Sequence, residues 1–204
     1  MSAIWFTADL HFGHRKVAEI RGFKDDEFNP ATADEVHDEA VFQSWARVVR
    51  PQDRVYVLGD ISGGSRWAED HALDILSTLP GEKHLIAGNH DSVASIHRNG
   101  YKSLPMFLSV FESVRDFARI RLHKTDILLS HYPYAYEGDG KGRESKTRYE
   151  QFRLPSLGAP LIHGHTHSTV AETDEFMYCV SWDAHRGMVP LKNIEDHFFG
   201  EENK

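Results

Sequence analysis

The chain of 204 residues is poor in the features that would mark several whole classes of protein. It has one cysteine, Cys179, so no internal disulfide can form and no thiolate-rich metal site can be built. A single buried-type thiol suits a reducing compartment, and with an N-terminus lacking a basic segment followed by an apolar one, the expectation is a cytoplasmic protein. No apolar run approaches the roughly 20 residues of a membrane helix, which argues against a membrane partner. Internal repeats, low-complexity tracts and Pro/Ser-rich linkers are absent, so residues 1–204 are expected to form one domain. Positive charge is also scarce. The formal net charge of -8 disfavours a module built to hold long polyanions, although bound cations reverse a local field for a small phosphorylated ligand.

What the chain has in excess is histidine, fourteen in all, bunched beside Gly, Asp and Asn. These bunches follow short apolar runs. Ala3 to Ala8 reads as a buried strand ending at Asp9, Val55 to Leu58 as one ending at Gly59-Asp60, and Lys83 to Ala87 as one ending at Gly88-Asn89-His90-Asp91. Thr125 to Ser130 ends at His131, and Pro160 to Ile162 leads into His163-Gly164-His165-Thr166-His167; Phe176 to Val180 is the last clear strand. Helical spacing runs through residues 33–49, opened by a capping box of Thr32 and Glu35 and stopped by Pro51, and a second helix is expected over residues 66–79. Ala118, Ile120 and Leu122 alternate with Arg119, Arg121 and His123, as in a strand with one wet face. Strands alternating with helices, then mostly strands, predict an α/β layered fold. In such folds ligands collect beyond the carboxyl ends of strands, where these polar residues would meet.

Each short motif is weak alone. Asp9-Leu10-His11 on an extended strand end would aim two ligands to one side, but a solvated turn reads equally well; Gly59-Asp60 is also a plain turn. Gly88-Asn89-His90-Asp91 adds a neutral oxygen ligand and a histidine to face an anion. Three histidines at alternate positions in residues 163–167 are hard to bury as core, because each ring needs partners for two nitrogens, and metal ligation is the favoured reading there.

Taken in order, Asp-x-His, Gly-Asp, Gly-Asn-His-Asp, a lone His and Gly-His-x-His over residues 9–167 resemble the calcineurin-like metallophosphoesterase superfamily. The resemblance implies a four-layer αββα sandwich of two mixed β-sheets flanked by helices. It implies two divalent metal ions, with Asp9, His11 and His167 on one, Asn89, His131 and His165 on the other, and Asp60 bridging. His90 would contact the reacting phosphoryl group. Nitrogen and oxygen ligands without thiolate suit Mn²⁺, the leading expectation, or Fe, Zn²⁺, Ni²⁺ or Co²⁺. The implied reaction is hydrolysis of a phosphate ester by a metal-bridging hydroxide, most readily on a small phosphodiester such as a cyclic nucleotide. The rival readings are a nuclease acting on nucleic acid, a phosphomonoesterase or dinucleoside polyphosphate hydrolase, and, ranked last, a non-catalytic binding protein.

The remaining site residues carry two readings each. His14 and Arg15 either touch substrate or stabilise the first loop. Asp91 either orients His90, alongside it in catalysis, or caps residues 92–98. Tyr132 and Arg143, in the aromatic and basic stretch after His131, either stack a base and pair a phosphate or belong to a solvated loop. His163 is left outside the metal set.

Overall fold

Alternation along the N-terminal strands sorts their side chains into two cores. The computed structural model describes residues 2–26, 31–139 and 148–200. In β1 (Ile4–Thr7), β2 (Arg54–Val57) and β3 (Glu82–Ile86), one set of side chains (Trp5, Val55, Val57, Leu85) faces helices α2 (Ala33–Ala46) and α3 (Arg66–Thr78). Trp45, Leu73, Leu76, Phe107 and Phe111 complete that helix-facing core. The other set, Phe6, Tyr56, Leu58 and Ile86, faces a second sheet through Ile127, Leu129, Ile162 and Tyr178. Period-two burial on both faces is what a parallel sheet covered on each side demands.

The first sheet has the order β10-β1-β2-β3-β4, with β4 (Ser113–Arg115) parallel at one edge and β10 (Val189–Pro190) antiparallel at the other. Pro190 sits on that edge strand, where its missing N–H costs no ladder bond. The second sheet has the order β5-β6-β7-β9-β8, from β5 (Phe117–Leu122), β6 (Thr125–Ser130), β7 (Leu161–His163), β8 (Glu172–Asp174) and β9 (Met177–Cys179). In β5, Ala118, Ile120 and Leu122 turn inward while Arg119 and Arg121 pair outside with Asp126. The outer face of β6, β7 and β9 is covered by Tyr134 and Leu154 from the connection after His131. Helix α6 (Leu191–Phe199) closes the inter-sheet core with Ile194.

Two mixed five-stranded sheets with flanking helices are thus the observed architecture, as expected. The capping box is present, with the Thr32 N–H donating to Glu35 Oε2 at 2.7 Å. The elements that sequence patterning misses are short: α1 (Arg15–Ile20), α4 (Leu104–Phe107), α5 (Trp182–His185), β4, β8 and β10. No helix among the described residues is long and apolar enough to cross a membrane.

Candidate metal centre

The parallel strands β1, β2 and β3, together with β6 and β7, deliver their C-terminal residues to one place. Asp9, Asp60, Asn89, His131 and His165 follow them within three residues and are all buried. One ligand atom each from Asp9, His11 and His167 lie within 4.8 Å of one another, as do those from Asp9, Asp60 and His131. Asp60 Oδ2 stands between the two groups, 3.9 Å from His11 Nε2 and 3.5 Å from His131 Nε2. His165 Nδ1 lies 3.2 Å from His131 Nε2.

The convergence is achieved through strained backbone. Among the described residues ten non-glycine positions have positive φ, and five of them are Asp9, His11, Asp60, His165 and His167. The left-handed region costs an L-residue about 1 kcal/mol or more, so concentrating it here means the surrounding structure enforces it. This corrects the sequence expectation for Asp9 and His11. They do not share one side of an extended strand; both turn through the left-handed region to reach the site. Glycines give the turns room. A Cβ on Gly88 would lie 2.6 Å from the Asp60 nitrogen, and one on Gly164 would lie 2.8 Å from Asp9 Oδ2.

Hydrogen bonds behind the rings set which nitrogen faces the site. His11 Nδ1–H donates to the Ser62 carbonyl (3.1 Å), His131 Nδ1–H to the Leu58 carbonyl (2.7 Å) and His167 Nδ1–H to Asp183 Oδ2 (2.9 Å). A carbonyl or carboxylate can only accept, so the proton of each neutral ring sits on the far nitrogen. The near nitrogens then present lone pairs to one another: His11 Nε2 and His167 Nε2 are 3.2 Å apart. Asn89 Oδ1 is also buried with no hydrogen-bond partner. Closely spaced ring nitrogens and an unpartnered buried amide oxygen are costly as they stand and fit a cation well.

With no cation bound, Asp60 and His131 form a charged pair. Burial opposes charge on His131, but the Asp60 carboxylate overrides it and lifts the imidazole to about 9. Asp60 is buried too, yet His131 and His11 hold its carboxyl well below the usual range. Burial dominates at His11 and His165, pushing both rings down towards the neutral form that metal ligation would require.

The other expected site residues divide. His90 has a half-exposed side chain, with Nε2 4.0 Å from Asp60 Oδ2, and its N–H donates to Asp60 Oδ1 at 2.8 Å. Asp91 neither touches His90 nor caps a helix with its side chain. Its carboxylate accepts from the N–H groups of Asp60, Ile61 and Gly88 at 2.7–3.0 Å, tying two ligand loops together. Burial, and then the nearby Asp60 charge, raises it to about 7. His14 packs its ring against His11 and accepts the Val17 N–H through Nδ1, capping α1. Arg15 is engaged at the surface with Glu19 and Asp25. Tyr132 is buried beside His165 rather than offering an open stacking face. Arg143 lies outside the described residues. His163 points away from the cluster, to the Gly164 carbonyl and Thr173.

Sequence reasoning missed the residues behind the ligands. Arg21 donates to both carboxylate oxygens of Asp183 (3.0 and 2.6 Å) and to the carbonyls of Asp9 (2.6 Å) and Leu10 (3.2 Å). It thereby holds the strained first motif and the partner of His167 together. On the other side, buried Asp139 faces His165 Nε2 at 3.4 Å and is clasped by Arg153 and Arg148. The one sequence hint is the placement of Asp183 shortly beyond the apolar run Phe176 to Val180.

Comparison with known proteins agrees with this geometry. The chain is 44% identical over 175 residues to the Gene 66 protein of Mycobacterium phage L5, covering 82% of this chain and 79% of that protein. It is 36% identical over 204 residues to the Gene 66 protein of Mycobacterium phage D29, with 96% of each covered. A solved protein of unknown function from Aquifex aeolicus superposes with a TM-score of 0.65 at 22% identity, over 96% of this chain and 99% of that one, and so shares the fold. The profile of the calcineurin-like phosphoesterase family matches residues 2–169, four-fifths of the sequence and every motif named above, and the chain belongs to that family.

Proposed function

We propose that the protein is a dinuclear metal-dependent phosphodiesterase acting on small phosphodiesters, the class that includes cyclic nucleotides. The observation that carries this reading is the convergence of Asp9, His11, His131, His165 and His167 on the Asp60 carboxylate, with His11 Nε2 facing His167 Nε2 and His131 Nε2 facing His165 Nδ1 at 3.2 Å each. Asp9, His11 and His167 would hold one ion, Asn89, His131 and His165 the other, with Asp60 touching both. Mn²⁺ is the favoured occupant of such a nitrogen and oxygen set. Two bound cations supply Lewis acidity and a water that ionises near neutral pH.

The chain's own groups do the rest. Asp60 is anchored by the His90 N–H on one oxygen, which leaves the other free to point between the two ligand groups. His90, exposed at the cleft, is placed to donate to a phosphoryl oxygen as charge builds there. The left-handed ligand positions hold this arrangement before substrate arrives, so little reorganisation is needed. Protein loaded with Mn²⁺ is expected to hydrolyse bis-p-nitrophenyl phosphate and to lose the activity on chelation. His90→Ala should keep both ions while the rate falls by about 10²–10³, the scale of one transition-state donor. A His90→Ala protein that loses its metal would break the division between ligand and donor.

A further inference from the structure

Beside the metal centre a cleft extends along the segment after Asn89. A cavity of about 680 Å³ starts at Asn89, His90 and the Gly63-Gly64 turn and runs to Arg98, Asn99 and Lys102. No acidic residue lines it. The side chains of Arg98 and Lys102 make no hydrogen bond or ion pair among the described residues. In a chain of net charge -8, two unpaired cations on one wall of an otherwise uncharged cavity create a local field for anions. On the opposite side of the centre, among the described residues, Arg148 and Arg153 share the Asp139 carboxylate, and Tyr132 is buried. A second, smaller cavity of about 370 Å³ shares His97 and Arg98 with the first and adds Arg115, Asp116 and the exposed Tyr101, so the acid-free lining is confined to the cavity that reaches His90.

Building on the phosphodiesterase reading, we propose that Arg98 and Lys102 form a subsite for a second phosphate, so that the preferred substrate is a small phosphodiester carrying a further phosphate group. His90 serves the reacting phosphate and Arg98 with Lys102 the distal one. A singly phosphorylated diester fills only the metal end of the cavity.

Two chromogenic esters isolate the distal group: the 5′-p-nitrophenyl phosphate of thymidine, and the same ester carrying a 3′-phosphate. Both release the same phenol, so the chemistry at the metals is common. With Mn²⁺-loaded protein, kcat/KM should favour the 3′-phosphorylated ester by about a hundredfold, two hydrogen bonds to a charged group at roughly tenfold each. Arg98→Gln and Lys102→Gln should each reduce that preference by about tenfold, the scale of one hydrogen bond to a charged group, with the double variant bringing it near unity. Equal treatment of the two esters by the wild type, or a preference that survives in the double variant, overturns the subsite. If neither ester is cleaved, the phosphodiesterase reading is what fails. The subsite is then judged by calorimetric binding of thymidine 3′,5′-bisphosphate against thymidine 5′-monophosphate. Equal affinities there overturn it without any need for turnover.

Discussion

Replacing Gly88 by alanine tests how tightly the bridging carboxylate is seated. Gly88 φ lies outside the left-handed region, so the added methyl acts only through what it touches. Ordinary contact begins at 3.4 Å, and the new Cβ would stand 2.6 Å from the Asp60 nitrogen and 2.9 Å from His131 Cε1, with Asp60 Oδ1 closer still. None of these is the free end of a flexible chain. The Asp60 loop must move by several tenths of an ångström, which strains its 2.8 Å bond from the His90 N–H. Overpacking of this kind costs about 1–3 kcal/mol, and near 2 kcal/mol lowers the melting temperature of a chain this size by about 4–8 °C. Displacing a catalytic group by about 1 Å costs roughly 10²-fold in rate, so activity should fall much further than stability. Calorimetric melting, Mn²⁺ titration and turnover of bis-p-nitrophenyl phosphate measure the three effects. Gly187→Ala is the control, because its nearest neighbours are 4.0 Å away. Wild-type melting and metal affinity in Gly88→Ala would refute the close seating of Asp60 against that loop.

Two further perturbations probe the support of the site. Arg21→Met strips a buried guanidinium from Asp183 and should cost about 3–5 kcal/mol while weakening Mn²⁺ at the His167 side by 10–100-fold; equilibrium dialysis giving an unchanged affinity would contradict the clamp. His163 is buried and neutral, held down to about 4 by burial, whereas unfolded it titrates near 6.5. Its folded value is the lower one, so the unfolded state takes up more protons between these limits, and stability present above 6.5 is lost as pH falls towards 4. At pH 5 the loss is about 2 kcal/mol. Urea unfolding of chelated protein at pH 7.5 and 5.0 should show a smaller pH effect in His163→Gln, and equal slopes in the two proteins would refute the assignment.

Much of the architecture was legible because the determining patterns are local. Phe6 and Leu58 alternate with Trp5 and Val57 in sequence as they do in space, and the polar residues after each strand mark where the chain leaves the sheet. The residues that converge on the site were legible for the same reason, together with the glycines whose backbones must pass close to them. The supports were not. Arg21 meets Asp183 across 162 residues, and nothing local in either segment announces the other. Asp91 was misread because its partners are backbone N–H groups of another loop, a role that leaves no mark in side-chain pattern. Tyr132 looked available for stacking, yet the fold turns it inward against His165. Elements such as β10 are too short to carry periodicity and exist only because β1 offers them an edge.

The account stands or falls on where cations bind. Crystals soaked with Mn²⁺ and measured for anomalous scattering should show two peaks per chain, one among Asp9, His11 and His167, one among Asn89, His131 and His165, with Asp60 in contact with both. A single peak, or two that leave Asp60 touching only one, would contradict it.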